Sequence, residues 1–219
     1  AAVRLKRGSD ASLFPLVPAK FNLQVAGNRF DSDYSTELAT GDFDGDGRTD
    51  VFVANGTAWF FSRGGSEAWE YLRPSNKRVR DLAFADVDND RTTDVLYRDS
   101  ASNLGYVAGG SARDLTPLTT LPVAISGLRS GDFDGDGRTD LFHTVGGQWM
   151  VWYGSTRVWT AVQSSSFPVK ELLFGEFDDV AGTDVAAVLR NEWAISSGAT
   201  APWTRLNAKL TGSFVKAVA

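Results

Sequence analysis

A twelve-residue acidic motif recurs four times along the chain, and this repeat restricts the possible folds more than any other feature. The motif is GDFDGDGRTDVF at residues 41–52 and GDFDGDGRTDLF at 131–142. More divergent copies, ADVDNDRTTDVL and GEFDDVAGTDVA, lie at 85–96 and 175–186. The first acidic residues of successive copies, Asp42, Asp86, Asp132 and Glu176, are 44, 46 and 44 residues apart. A fixed period of this length is typical of repeat architectures, in which each unit is one small group of strands or helices.

Each repeat predicts four short strands. In the first repeat they are ELATGDF, TDVFVAN, AWFFSRG and AWEYLRP, and the dipeptide Asn55-Gly56 between the middle two favours a tight hairpin turn. No segment sustains a helical apolar period, so helix should be scarce. Four-stranded units of roughly 45 residues favour an all-β fold, and specifically a β-propeller of four-stranded blades.

We predict a single β-propeller domain over residues 1–219. The repeat units are 37–80, 81–126, 127–170 and 171–216, and residues 1–36 form a partial N-terminal blade. A closing strand at 213–219 would complete that blade and give a ring of five blades, one of them composite. The alternative is a piece cut from a longer repeat array. Closure is favoured because an open ring would expose unpaired backbone groups at its edges.

Composition excludes several function classes. The chain has no Cys and one His, so a disulfide framework, a thiolate zinc site and a Cys nucleophile are excluded. The net charge of -5 makes a nucleic-acid partner unexpected. The sequence lacks an apolar run near the roughly 20 residues of a membrane span, which predicts no membrane insertion. We expect a soluble chain from which any export signal has been removed.

The acidic loop itself predicts a metal site. Its acidic residues stand at loop positions 1, 3, 5 and 9, and alternation places three carboxylates on the same side of a curled loop, where a cation would offset their repulsion. Ca2+ accepts roughly six to eight oxygen ligands in flexible geometry and is favoured over Mg2+, with the position-7 backbone carbonyl as a further ligand. An EF-hand is rejected because position 12 is Val53, Tyr97 and His143 instead of Glu, and the flanks are strand-like.

The D-x-D-x-D-G-x-x-D loop followed by a strand, repeated about every 45 residues, resembles the FG-GAP or VCBS repeat of integrin α-subunit propellers and many bacterial extracellular proteins. The resemblance covers residues 36–219 and implies that each loop joins the first and second strands of a blade. It implies two to three calcium sites and an empty or weak fourth one, where Val180 stands at position 5. The implied ligands are Asp42, Asp44, Asp46, the Arg48 carbonyl and Asp50; Asp86, Asp88, Asp90, the Thr92 carbonyl and Asp94; and Asp132, Asp134, Asp136, the Arg138 carbonyl and Asp140.

Tryptophans recur in phase with the acidic motif and allow two interpretations. Large aromatic side chains at fixed strand positions pack between neighbouring sheets in the first interpretation. In the second, some of them stack on sugar rings, as in propeller lectins that share this repeat. The candidates for sugar binding are Trp59, Trp149, Trp152 and Trp159.

The sequence favours a secreted or extracellular, bacterial, calcium-stabilised binding module. Its expected partner is a carbohydrate or a cell-surface protein. We predict no enzyme activity and no catalytic residues, because no nucleophile is paired with a base and the lone His143 lies in a predicted strand. The alternatives are a structural or protein-binding segment of a larger adhesin, toxin or multidomain enzyme, and a hydrolase or lyase with an unrecognised site.

Overall fold

A computed structural model describes residues 21–25, 28–32, 38–110, 115–190 and 192–209. Within these residues the secondary structure is strand with short 3-10 turns and no α-helix, which confirms the all-β prediction. The strands form four four-stranded antiparallel sheets and one two-stranded sheet. The predicted N-terminal blade is described only at its two short strands, and the predicted closing strand 213–219 lies outside the described residues.

The four-stranded sheets follow one another along the chain, and in each of them every strand pairs with its neighbours in sequence. The two-stranded sheet contains β1 (Phe21–Val25) and β2 (Asn28–Ser32). The first four-stranded sheet contains β3 (Leu38–Gly41), β4 (Asp50–Ala54), β5 (Ala58–Ser62) and β6 (Glu70–Pro74). These are the four strands that the first repeat predicts.

The other three sheets repeat this meander. The second contains β7 (Leu82–Ala85), β8 (Asp94–Arg98), β9 (Asn103–Val107) and β10 (Thr116–Thr120). The third contains β11 (Arg129–Gly131), β12 (Asp140–Val145), β13 (Gln148–Tyr153) and β14 (Val158–Ser164). The fourth contains β15 (Leu173–Gly175), β16 (Asp184–Leu189), β17 (Glu192–Ser196) and β18 (Thr204–Lys209).

Single 3-10 turns connect the strands at recurring places. One follows the third strand of three sheets, at Arg63–Gly65, Ala108–Gly110 and Ser197–Ala199. Another precedes the first strand of three sheets, at Val79–Asp81, Ile125–Gly127 and Val169–Glu171. Over the described part of the chain, no helix has the length and apolar character needed to cross a bilayer.

The chain divides into two compact units. The described residues of the first unit belong to Ala1–Asp86, Asp90–Tyr97 and Gly105–Pro117, and those of the second belong to Val87–Asn89, Arg98–Leu104 and Leu118–Ala219. Each unit has its own buried apolar cluster, so each satisfies the burial requirement of its sheets separately.

In the first unit, aromatic rings of the first sheet pack against the strand that opens the second sheet. The ring of Phe84 contacts those of Phe52 and Phe43, with centroids 5.2 and 6.0 Å apart. Trp59 is fully buried in the same cluster, and its ring lies edge-on to that of Tyr97. The recurring tryptophan at this strand position therefore packs in the core.

The second unit contains the same arrangement at equivalent repeat positions. The ring of Phe174 contacts those of Phe142 and Phe133, with centroids 5.1 and 6.2 Å apart. Trp149 is fully buried beside Trp203, at 5.4 Å between centroids. The strand register shifts at Trp149, as it does at Trp59 in the first sheet, so the tryptophan and a β-bulge recur together.

A glycine and a threonine join successive repeats within each unit. The backbone N–H of Asp42 donates to Thr93 Oγ1 at 2.9 Å, and the N–H of Thr93 donates back to the carbonyl of Asp42 at 2.6 Å. A Cβ at Gly41 would lie 2.7 Å from the Thr93 side chain, so only glycine fits against it. In the second unit Thr183 makes the same two bonds to Asp132, over Gly131.

We predict that Thr93→Val lowers the free energy of unfolding by about 1 kcal/mol, because it keeps the side-chain shape but leaves the Asp42 N–H without its acceptor. Thr49→Val is the matched control, since Thr49 holds the same motif position in the first repeat and is exposed. Urea denaturation of both variants measures the difference. Equal losses in the two variants would contradict the role of the contact.

Candidate metal centres

Each acidic loop connects the first and second strands of a four-stranded sheet. The loops run from β3 to β4, β7 to β8, β11 to β12 and β15 to β16. This is the placement that the resemblance implied. Each loop is held at both ends by paired strands. Its acidic residues, which are close in sequence, therefore lie in one compact turn.

In the first loop the carboxylates curl the backbone around themselves. Asp42 accepts the N–H groups of Gly45 and Gly47, at 2.8 and 2.9 Å. Asp44 accepts the N–H of Asp46 at 3.0 Å, and Asp46 in turn accepts that of Arg48 at 2.8 Å. Both glycines have positive φ, at 77° and 78°, which explains the Gly residues around position 5 of the motif.

The third loop has a similar set of internal bonds. Asp132 accepts the N–H groups of Asp136 and Gly137, and Asp136 accepts that of Arg138 at 2.8 Å. Burial raises the pKa of Asp134, and the neighbouring carboxylates of Asp136 and Asp132 raise it further. Like charges thus disfavour ionisation in this loop, and a cation would reverse the effect.

The second loop reaches the left-handed conformation without glycine. Asn89 and Arg91 have φ of 66° and 72° at the places of the loop glycines, and Asn tolerates this region better than most residues. Asp86 accepts the N–H groups of Asp90 and Arg91, at 3.1 and 2.9 Å. The substitutions therefore leave the curl of the loop in place.

Three of the four loops bring three carboxylates together. In each set, one oxygen from every member lies within 4.8 Å of one oxygen from each of the others. The sets are Asp42, Asp44 and Asp50; Asp86, Asp88 and Asp90; and Asp132, Asp134 and Asp136. Clusters of hard carboxylate oxygens at this separation fit a divalent cation.

The remaining predicted ligands lie outside these sets. Those whose side-chain oxygens were predicted to bind are Asp46, Asp94 and Asp140, and those whose carbonyls were predicted to bind are Arg48, Thr92 and Arg138. Asp46 lies beside the Arg48 side chain, with 3.5 Å between oxygen and Nε. The ligand assignments of these six residues stay predictions.

The fourth loop departs from the other three. Val180 occupies position 5 and is 60% exposed, and its neighbour Phe177 is also exposed. Asp178 accepts the N–H of Val180 at 2.8 Å, which preserves the turn made by position 3. Among the described residues, none of the three-carboxylate sets includes Glu176, Asp178 or Asp184.

The last aspartate of each motif has a structural role that the sequence interpretation missed. The side chains of Asp50, Asp94, Asp140 and Asp184 are fully buried. Asp140 accepts the N–H of Phe133 in its loop and that of Gly154 after the third strand, at 2.7 and 2.8 Å. Asp184 makes the equivalent bonds with Phe177 and Gly198. A carboxylate retained in the loop that lost position 5 was the sequence signal for this role.

Burial changes the pKa of the last aspartate of the third motif, Asp140. Desolvation raises the pKa of Asp140 to about 6, against the opposing effect of the two backbone N–H groups that it accepts. The neighbouring carboxylates of Asp134 and Asp132 raise the pKa further. At neutral pH the ionised group therefore depends on those two N–H donors for its solvation.

Three of the four tryptophans proposed to stack on sugars are inaccessible. Trp59, Trp149 and Trp152 have no exposed surface. Trp59 donates its indole N–H to the carbonyl of Lys77 at 3.2 Å. Trp159 is half-buried, donates to the Thr120 carbonyl at 2.9 Å and lies edge-on to the His143 ring. The three buried rings occupy the packing positions of the alternative interpretation, and the proposed function does not include them.

A cavity of about 490 Å3 adjoins the first loop, within the first unit. Its wall combines the exposed ring of Tyr71, several apolar side chains and several charged groups. The charged groups are Asp44, Arg63, Glu70 and Asp90. No sequence pattern pointed to this cavity, because its residues come from separate strands and loops.

The curled acidic loop, its flanking strands and its carboxylate cluster together fit one known family. Residues 42–97 match the FG-GAP-like repeat family. The matched segment begins at the first aspartate of the first loop and ends in β8, so it includes the first two acidic loops. The resemblance to FG-GAP repeats is confirmed there. None of the curated proteins compared with the chain matches it.

We predict that Asp184→Asn lowers the free energy of unfolding by about 1 to 3 kcal/mol, because the new amide group points a donor at a buried backbone N–H. The loss should persist in a metal chelator, since the fourth acidic motif lacks its central carboxylate. Glu176→Gln is the control, as it removes one charge from an exposed position of the same loop. A stability of Asp184→Asn equal to that of the control would refute the structural role.

Proposed function

We propose that the chain is a calcium-stabilised, non-catalytic binding module. The observation that carries this proposal is the recurrence of three-carboxylate clusters in equivalent loops of successive repeats. A surface turn without a ligand gains nothing from placing three like charges within 4.8 Å of one another in three copies. A bound ion would join the ends of each loop and stabilise the folded state.

Calcium is the proposed ion because of the donor chemistry. Every donor in the clusters is a carboxylate oxygen. The backbone carbonyls of Arg48, Thr92 and Arg138 at position 7 are proposed as further ligands. Ca2+ accepts such crowded oxygen cages, whereas Mg2+ retains several waters and demands stricter geometry. We propose sites in the first three loops and none of comparable strength in the fourth.

The proposed architecture is a β-propeller in which each four-stranded sheet is a blade. Its support is the identical meander of the four sheets and the recurrence of the same aromatic contacts in each unit. The fifth, composite blade and the closing strand remain part of this proposal. We also propose that the module is extracellular, because weak calcium sites of extracellular modules are filled at about millimolar calcium. A bacterial origin is a further part of the proposal.

We propose that the chain has no catalytic activity, because its histidine is buried and neutral. His143 is the single histidine of the chain and is buried, with Nδ1 lacking a hydrogen-bond partner. Burial lowers its pKa, so the ring is neutral at physiological pH. A buried, neutral ring that packs on Trp159 suits a packing role and is poorly placed for proton transfer.

The proposed ligand class is carbohydrate, and the cavity beside the first loop supports it. Tyr71 is 59% exposed and is held by an edge-on contact with Phe60, at 5.6 Å between centroids. An exposed ring beside charged acceptors and donors offers a sugar both an apolar face and hydroxyl partners. The alternative partner is a cell-surface protein, with the chain as a structural segment of a larger adhesin, toxin or enzyme.

We predict that EDTA lowers the thermal midpoint and that calcium restores it better than magnesium. An ion at 100 times its dissociation constant stabilises the folded state by about 2.7 kcal/mol per site. Asp134→Ala should remove one calcium from the stoichiometry measured by calorimetry. Asp178→Ala is the control, because each aspartate stands at position 3 and each accepts the N–H of position 5. Unchanged stability after verified removal of metal would refute the proposal.

We predict binding to a subset of glycans on an array in calcium buffer, with Tyr71→Ala weakening the strongest interaction about fivefold to tenfold through loss of aromatic contact. Val158→Ala, which trims a comparably exposed side chain in the third sheet, should leave the affinity unchanged. Titration followed by intrinsic fluorescence measures both variants. Silence across the array would favour the protein-binding alternative.

A further inference from the structure

A guanidinium group contacts one member of the carboxylate cluster of the first loop. Arg63 directly follows β5, and its Nη1 donates to Oδ2 of Asp44. Asp44 is a member of the first three-carboxylate set, and its side chain is only 8% exposed. The first loop therefore holds a positive charge of the chain itself at one of its proposed metal ligands.

A second acidic residue holds Arg63 in this place. Its Nε donates to Oε1 of Glu70 at 2.6 Å, and Nη2 lies 3.4 Å from the other carboxylate oxygen. The hydrogen bond from Arg63 lowers the pKa of Glu70, so the pair remains ionised in neutral solution. Glu70 and Asp44 thus fix the guanidinium from two sides.

Both carboxylate oxygens of Asp44 accept hydrogen bonds from the chain itself. Oδ1 accepts the N–H of Asp46 within the loop, and Oδ2 accepts Arg63. Binding of a cation at this carboxylate must compete with the charge of Arg63, through exchange of the contact or through repulsion. Either process reduces the gain in free energy when the ion binds.

The third sheet has a neutral side chain at the same place. Gly64 and Gly154 donate equivalent N–H groups to the last aspartate of their loops, so Arg63 corresponds to Tyr153. Burial raises the pKa of Tyr153, and the carboxylates of Asp140 and Asp134 raise it further. Tyr153 packs against the apolar cluster of the second unit, and it carries no positive charge that could compete with a cation.

We propose that Arg63 is an internal competitor that makes the first loop a weaker calcium site than the third. The inference rests on the proposed calcium function and concerns the regulation of that same site. Two loops with almost the same motif would then fill at different calcium concentrations. The side chain that separates them comes from the end of β5, outside the motif.

The test exchanges the two residues. In a background of Asp88→Ala and Asp134→Ala, which disables the second and third loops, Arg63→Tyr should raise calcium affinity by about twofold to fivefold, within the range for removing a solvent-exposed charge contact. Isothermal calorimetry measures the dissociation constant. Arg205→Tyr is the matched control, since Arg205 pairs with Glu192 at 3.2 Å on the fourth sheet and should not alter the affinity.

The reverse exchange tests the inference in a chain with all loops intact. Tyr153→Arg should lower the affinity of the tightest site by a similar factor, and circular dichroism in EDTA checks that each variant is folded. An affinity of the first loop unchanged by Arg63→Tyr, or of the tightest site unchanged by Tyr153→Arg, would overturn the inference and leave the calcium function standing. Absence of calcium binding in the natural chain would overturn both.

Discussion

A buried carboxylate that accepts backbone N–H groups on both sides is the interaction on which each repeat depends. Asp50 illustrates it: one oxygen accepts the N–H of Phe43 in the acidic loop, and the other accepts that of Gly64 after the third strand. Asp50 is also the first residue of the second strand. Its carboxylate therefore joins the acidic loop, the second strand and the segment that follows the third strand. An unpaired charge at this depth would be costly, and the two N–H groups replace the water that it has lost.

Much of the fold could be predicted from the sequence because the same local sequence pattern occurs in several copies. Short strand-like segments and turn dipeptides located the four strands of the first sheet, and the resemblance to FG-GAP repeats implied that the acidic loops lie between first and second strands. The curl of the loop also followed from local residues, since its bonds join positions two to five residues apart. Local chemistry repeated along a chain is the information that a single sequence conveys best.

The rest of the site depends on contacts between distant residues. The bond between Arg63 and Asp44 joins residues 19 apart, and no periodicity predicts it. The tryptophans at fixed strand positions left both packing and sugar binding open, and only the arrangement of neighbouring rings showed that Trp59 is enclosed. The motif also contains two functions in one row of aspartates. Its spacing cannot separate a carboxylate that faces a cluster from one that faces the core.

The threonine contact between successive loops makes neighbouring repeats thermodynamically dependent on each other. The backbone of Asp42, the first residue of one loop, exchanges two hydrogen bonds with Thr93, the eighth residue of the next. Whatever orders one loop reduces the conformational freedom that the other must lose, and the benefit is reciprocal by necessity. Two such loops therefore respond to a change in conditions as a pair. Together they can change their rigidity over a narrower range of conditions than either loop could alone.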